Sequence, residues 1–356
     1  MNSPRFLFLT INEVCNLRCL HCQHWQAKQE AVDLLGDERR IEIIREFAEL
    51  SPRGKIVISG GEPMLAHDIY FRVCEISRSL GLRTISVING TRIRTLSEAS
   101  TFIEAGPDEV GISMDGPTPE IHDRLRGRDG TFKQAVDALD LLLRARTTLR
   151  KPTTIYIMGL LTRSSYPHLD EFYDLALNQI GVDKLKLTAL QPTFLYTRIG
   201  QQQPSDDFFA IESQVDPEAL SVLLARCDAK YDLHYNPRWV DQIVSYYRSL
   251  NGTSDLTKGW SGGFTTDNHI CNSPERNIMV SLDGRASLCF SNAFANISLN
   301  RPGDLKRFWE GKELLSSQMS TCNALCGIGH CVRREHATSS PKHQGIGESS
   351  SRRSTK

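Results

Sequence analysis

The sequence predicts an α/β fold: a parallel sheet that closes fully or partly into a barrel, followed by a small cysteine-rich unit. Three observations carry this. Short apolar or β-branched runs alternate with amphipathic helical patterns through the first half of the chain. That rhythm stops after Pro192. Cysteines then return in a second group near the C-terminus, the first group having followed the opening apolar run.

The runs are Arg5–Thr10, Lys55–Ser59, Arg83–Ile88, Glu109–Ser113, Thr153–Met158 and Lys184–Leu190. Between them, helical periodicity covers Asp37–Leu50, Ala66–Leu80, Leu96–Ala105, Phe132–Arg144 and Ser165–Ile180. Gly81, Gly106 and Gly181 stand where helices should stop. Repeated βα units form a parallel sheet whose chemistry lies at the strand C-terminal ends. Residues 1–192 are therefore expected to form the barrel-like core, and 193–270 a linker with helices starting near Pro217 and Pro237. Gln201–Pro204 and the acidic 205–207 stretch read as linker or exposed loop, and Asn251–Asp267 is rich in Gly, Ser and Thr. Residues 271–336 form the cysteine-rich unit, and the polar tail 337–356 is expected to be disordered.

The chain has 356 residues, with 42 Lys plus Arg against 42 Asp plus Glu, so its formal net charge is zero. That balance argues against a broad nucleic-acid surface. The apolar run Ile155–Leu161 is far too short to span a bilayer, and Phe6–Leu9 is too short for a secretory signal. A cytoplasmic enzyme with no membrane and no nucleic-acid partner is expected. In a reducing compartment, clustered cysteines point to metal rather than to disulfides. Cys74 and Cys227 lie apart from both groups in apolar-periodic stretches, where a cysteine behaves as a small buried hydrophobe.

Cys15-Asn-Leu-Arg-Cys19-Leu-His-Cys22 follows the first strand directly. Three thiolates hold three irons of a [4Fe–4S] cube and leave the fourth iron open, whereas an electron-transfer cluster has four. A zinc site completed by His21 or His24 is the alternative. Ser59-Gly60-Gly61-Glu62-Pro63 ends the second strand, with glycines that admit a ligand close to the backbone and a carboxylate suited to an ammonium group.

Together these two motifs resemble the radical S-adenosylmethionine (SAM) superfamily over Arg5 to about Pro192. The resemblance implies a partial (β/α)6 TIM-like barrel, a [4Fe–4S] cluster on Cys15, Cys19 and Cys22, and SAM bound at the open iron. One electron then cleaves SAM to a 5′-deoxyadenosyl radical that takes hydrogen from unactivated carbon. It also implies that Gly60, Gly61 and Glu62, with Pro63, hold the methionine amino group. Asn89-Gly-Thr91 and Ser113-Met-Asp115 resemble the family's ribose and carboxylate contacts, and Arg126 the arginine that pairs with the methionine carboxylate. His21 stands where the family often has an aromatic residue, near the adenine, and His122 and Arg124 read equally well as a solvated face.

At the back, Cys271 is followed by a hairpin signal at Asp283-Gly284, which returns Cys289 toward it, and then by Cys322, Cys326 and Cys331. This segment resembles the SPASM and twitch extensions that carry auxiliary [4Fe–4S] clusters, although a full SPASM has two more cysteines. One auxiliary cluster is expected, on Cys271, Cys289 and two of Cys322, Cys326 and Cys331, the alternative being two incompletely ligated clusters. A zinc-ribbon-like site is the plain reading of the same spacing.

The resemblance implies oxidation or cross-linking of a peptide or small natural-product precursor, with the auxiliary cluster as electron acceptor and a flavodoxin or ferredoxin as donor. The short stretch before the first strand argues against an attached peptide-recognition domain, so recognition would fall to a separate protein. A redox-neutral epimerase with a spare cysteine as hydrogen donor, Cys227 among the candidates, is the second reading. A twitch-type alcohol dehydrogenase and a zinc-stabilised non-catalytic binding module complete the alternatives. Tyr156, Thr188, Gln191 and Tyr196 are the candidates for facing the substrate.

Overall fold

The computed structural model describes residues 3–22, 25, 34–191, 206–251, 269–271, 273–290, 297–320 and 331–333. Its βα units are β1 (Phe6–Thr10), α1 (Asp37–Leu50), β2 (Lys55–Ser59), α2 (His67–Ser79), β3 (Arg83–Ile88), α3 (Leu96–Ala105) and β4 (Glu109–Ser113). There follow α4 (Pro119–Arg126), α5 (Thr131–Leu149), β5 (Thr154–Leu161), α6 (Leu169–Tyr173) and β6 (Lys184–Ala189). The C-terminal part has α7 (Asp206–Glu212), α8 (Pro217–Tyr231), α9 (Pro237–Asn251), β7 (His269–Cys271), β8 (Asn277–Val280), β9 (Arg285–Ser287) and β10 (Ile297–Ser298). Helices α10 (Asp304–Glu310) and α11 (Glu313–Ser320) and strand β11 (Cys331–Arg333) end it.

One sheet runs β10-β9-β8-β1-β2-β3-β4-β5-β6. Strands β1 to β6 pair in chain order and all in parallel, so every crossover is a helix, as the alternating sequence requires. The sheet is a partial barrel with β6 and β10 as its edges. Strand β8 adds to β1 in parallel, Phe6 opposite Asn277, and β9 returns antiparallel at the expected turn. Gly284 there has φ +80, which suits a residue without Cβ. The cysteine-bearing hairpin thus continues the barrel sheet itself. Arg39 and Arg40 of α1 secure it, donating to the carbonyls of Leu299, Arg301 and Leu282.

Several elements differ from the sequence expectation. Strand β5 continues to Leu161 because Gly159 leaves room for Phe172, whose ring a Cβ would meet at 2.9 Å. Helix α5 extends to Leu149, past the Arg/Thr-rich end that its periodicity does not reward. The single helix expected over Ser165–Ile180 is a 3₁₀ turn at Tyr166–His168, then α6, then a π-helix over Asp174–Ile180. Helix α7 begins at Asp206 within the stretch read as loop, and the short α4 has no counterpart in the periodicity.

Helices α8 and α9 pack on the barrel rather than trail from it. Tyr247 Oη donates to Leu161 O at 2.6 Å and accepts from Leu190 N at 3.1 Å, pinning α9 to the ends of β5 and β6. Cys74 and Cys227 are both fully buried, as their apolar surroundings imply. At the strand N-terminal ends the barrel is closed by ions. The nearly buried Glu109 carboxylate lies 3.0 Å from Lys55 Nζ and within 4 Å of Arg83, Lys184 and Lys186. Tyr156 belongs to this plug: its ring abuts Gly111, and Lys186 Nζ stands 3.7 Å from the ring centroid. It is 1% exposed and does not face a substrate. Among the described residues no helix is long and apolar enough to cross a membrane.

Candidate active site

The cysteine loop, Gly60–Pro63, Asn89 and Ser113 to Asp115 lie at strand C-terminal ends, where a parallel barrel places its chemistry, and Arg126 ends α4. The loop after β1 carries Cys15, Cys19 and Cys22, of which Cys19 is buried and the other two are partly exposed. Residues 12–14 lie against 60–62: Gly61 N donates to Asn12 O at 3.2 Å and Glu62 N to Val14 O at 2.8 Å. The contact is close enough to demand glycine. A Cβ on Gly61 would stand 2.3 Å from Val14 O, and one on Gly60 2.6 Å from Asn12 O.

Glu62 is buried, and both its oxygens receive backbone N–H groups, Met64 at 3.1 Å and Asn89 at 2.8 Å. It braces the end of β2 against β3, with only its remaining lone pairs left for an ammonium group. Burial pushes its carboxyl up to about 7, against the pull of these two N–H donors. Pro63, also buried, starts the short turn that Glu62 caps. Asn89 Nδ2 donates to Asn16 Oδ1 and Asn16 Nδ2 to Thr91 Oγ1, each at 2.8 Å, which ties the cysteine loop to the end of β3. Ser113 ends β4 partly exposed.

Helix α4 is the other support of that loop. Leu125 O accepts from Leu20 N at 2.9 Å, and Gly127, in the left-handed region at φ +66, lies so close to Arg18 that a Cβ would meet its carbonyl oxygen at 2.3 Å. Proline at its first position and glycine just beyond its end mark this helix in the sequence, eight residues being too few for periodicity to show it.

Asp115 and Arg126, expected as cofactor contacts, form an ion pair with each other. Arg126 Nη2 donates to Asp115 Oδ1 at 2.8 Å, Nε stands 2.7 Å from Oδ2, and Nη1 is 3.8 Å from Cys19 Sγ. His21 Nε2 lies 3.2 Å from Asp115 Oδ2. Asp115 is 1% exposed. Burial pushes the Asp115 carboxyl up, but Arg126 and then His21 more than offset this and hold it below the usual carboxylate range.

His122 is buried, not solvated. Its Nδ1 accepts the Asp115 backbone N–H at 3.1 Å. Burial, then the Arg126 guanidinium, lowers its pKa to about 4. The unfolded chain, with an ordinary histidine near 6.5, binds more protons between these values, so stability is full above about 6.5 and falls as pH drops toward 4. Denaturant titrations at pH 7 and 4.5 should show His122→Gln losing about 2–3 kcal/mol less on acidification than the unsubstituted chain. Equal losses in the two proteins would remove His122 as the cause.

Cys15, Cys19 and Cys22 lie on one loop after β1, as ligands of a shared iron–sulfur cluster would. Among the described residues no three His, Cys, Asp or Glu side chains gather closely enough to hold one metal ion. Burial raises the Cys19 thiol and pushes Cys15 up to about 11, so both are protonated until a metal displaces the proton.

The Radical SAM superfamily model matches residues 9–176. The chain contains a radical SAM domain. Such a domain works with a [4Fe–4S] cluster and SAM, and the three-cysteine loop and Gly60–Pro63 are where it would hold them. The chain is 30% identical over 198 residues to an AdoMet-dependent heme synthase of Oleidesulfovibrio alaskensis, covering 56% of this chain and 48% of that protein. It is 29% identical over 193 residues to the mycofactocin maturase MftC of Mycolicibacterium smegmatis, covering 54% and 46%. The match thus spans about half the length of these two relatives. The fold is similar to that of Streptococcus suis SuiB bound to the precursor peptide SuiA, with a TM-score of 0.61 at 15% identity, over 90% of this chain and 68% of that one.

The second cysteine group is partly in view. In a separate two-stranded sheet Cys331 of β11 is directly opposite Cys271 of β7. Cys289 follows β9 and is partly buried. Cys322, Cys326, His24 and Tyr196 lie outside the described residues. Cys227, expected as a candidate hydrogen donor, is fully buried in the helix layer near Asp170 and Tyr235. A donor must reach the substrate radical, and this thiol has no exposed surface.

Proposed function

We propose that this radical SAM enzyme oxidises or cross-links a peptide or small natural-product precursor, with one auxiliary [4Fe–4S] cluster as electron acceptor. The observation that carries it is the register of Cys331 opposite Cys271, on strands that precede and follow the hairpin bearing Cys289. That register supports Cys271, Cys289 and Cys331 as three ligands, with Cys322 or Cys326 as the fourth. When bound, the radical cluster and SAM supply a 5′-deoxyadenosyl radical for hydrogen abstraction.

The chain's own residues prepare the site. Gly60 and Gly61 let residues 12–14, just before Cys15, pack against the end of β2, while Glu62 accepts the Asn89 N–H and keeps the ends of β2 and β3 in register. Cytoplasmic electron supply by a flavodoxin or ferredoxin, and a separate peptide-recognition protein, complete the reading. A peptide ranks first because the MftC relative is named a maturase and SuiB is seen with a precursor peptide. The heme synthase relative favours a small-molecule substrate as the second reading.

Anaerobic reconstitution should give about eight irons per chain, falling to about four in a Cys271→Ala/Cys331→Ala variant that still cleaves SAM but no longer yields oxidised product. About four irons in both proteins would remove the auxiliary cluster. A precursor peptide encoded beside the gene should lose two hydrogens in mass on co-expression; an unchanged mass with active SAM cleavage moves the small molecule to first place.

A further inference from the structure

The resemblance assigns Arg126 to the SAM carboxylate, yet two of its guanidinium nitrogens already donate to other groups. Nη2 donates to Asp115 Oδ1, Nη1 points at Cys19 Sγ at 3.8 Å, and Nε lies 2.7 Å from Asp115 Oδ2 without a hydrogen bond. Arg126 is the last residue of α4, where the helix dipole favours a cation, and Gly127 ends the helix against Arg18 of the cysteine loop. Asp115 is oriented in turn by His21, from between two of the cysteines, and by His122 at its backbone N–H. The result is a closed ring from the loop through a buried ion pair and back to the loop.

We propose that Arg126 donates an N–H to the Cys19 thiolate of the bound cluster and sets that cluster's reduction potential, with Asp115 as the counter-charge limiting the effect. Hydrogen bonds to cluster sulfurs and nearby charge govern iron–sulfur potentials. Reduction adds one electron to the cluster, and a donor or cation at a thiolate stabilises that more negative form. Arg126 therefore raises the potential, and Asp115, its charge opposed, lowers it. Arg126 and Asp115 are thereby positioning residues, and the inference rests on the assignment of the cluster to Cys15, Cys19 and Cys22.

The two residues predict shifts of opposite sign, which loosening of the structure would not produce. The radical-site cluster is titrated by electron paramagnetic resonance without SAM, in the chain lacking the auxiliary cysteines Cys271 and Cys331. Arg126→Gln should lower its midpoint so that, at a fixed poise, the reduced fraction relative to oxidised falls about tenfold, or 59 mV for one electron. Asp115→Asn, which leaves the guanidinium unbalanced, should shift the midpoint upward. Unchanged midpoints, or two shifts of the same sign, overturn the inference while leaving the cluster assignment intact. An Arg126→Gln variant with normal potential but SAM affinity reduced tenfold or more assigns the arginine to the carboxylate instead. Should Arg126→Gln fail to retain a cluster, the upward shift in Asp115→Asn decides alone. A chain that takes up no reducible cluster overturns the assignment itself, and this inference with it.

Discussion

Replacing Cys15, Cys19 and Cys22 with alanine is expected to remove about four irons per chain and reduce SAM cleavage to background, with the fold retained. The expectation of a folded variant is structural. The loop is held by Leu20 N on Leu125 O, by the Asn16 amide on Thr91 and by the Asn89 amide on Asn16, none of which uses a thiol. Only Cys19 is buried, and a buried cysteine cut to alanine costs on the order of 1 kcal/mol. Iron, labile sulfide and 5′-deoxyadenosine are measured beside far-ultraviolet circular dichroism. Iron unchanged in a folded variant would place the cluster elsewhere, and retained SAM cleavage would separate the reaction from these cysteines.

Gly61→Ala should be among the most damaging single methyl groups in the domain. Its Cβ would lie 2.3 Å from Val14 O and 2.6 Å from Val14 C, and both are backbone atoms that no rotamer change can move aside. Relief requires residues 12–14 to separate from 60–62. That breaks the bonds of Gly61 N and Glu62 N and shifts Cys15, the next residue in the loop. A cost of about 3 kcal/mol or more is expected, with SAM affinity reduced at least tenfold. Gly36→Ala is the matched control: φ is −63 and nothing lies within 4 Å of the added carbon, so stability should change by no more than about 0.5 kcal/mol. Equal denaturation midpoints for the two variants would show that the close approach is not what Gly61 provides.

Much of the fold was legible because its signals are local. β2, β3, β4, α1 and α3 have the limits that apolar periodicity implies, and Asp283-Gly284 marks the turn between β8 and β9. The misses fall where long-range packing decides. Gly159 lets β5 continue because Phe172 fills the space, and the π-helix after α6 has no periodicity of its own. In the site, the cysteines and Gly60–Glu62 announce themselves by spacing. Asn12 and Asn16 carry no signal beyond flanking Cys15, yet both hold its loop.

By itself the sequence determined the parallel βα core, the cysteine loop at the end of β1 and the family to which these point. Residue type and short spacing suffice for those, since thiolates three and four residues apart share one loop in any compact fold. Tertiary structure decided the rest. It joined the cysteine-bearing hairpin to β1, set Cys331 against Cys271, buried Cys227 away from chemistry and closed Asp115 and Arg126 into a pair behind Cys19. Asp115 and Arg126 are brought together by α4, and Cys271 and Cys331 by a strand pairing that closes a loop of about sixty residues. Contacts of that range depend on which surfaces the helices and sheet bury, and no local pattern of residues encodes it.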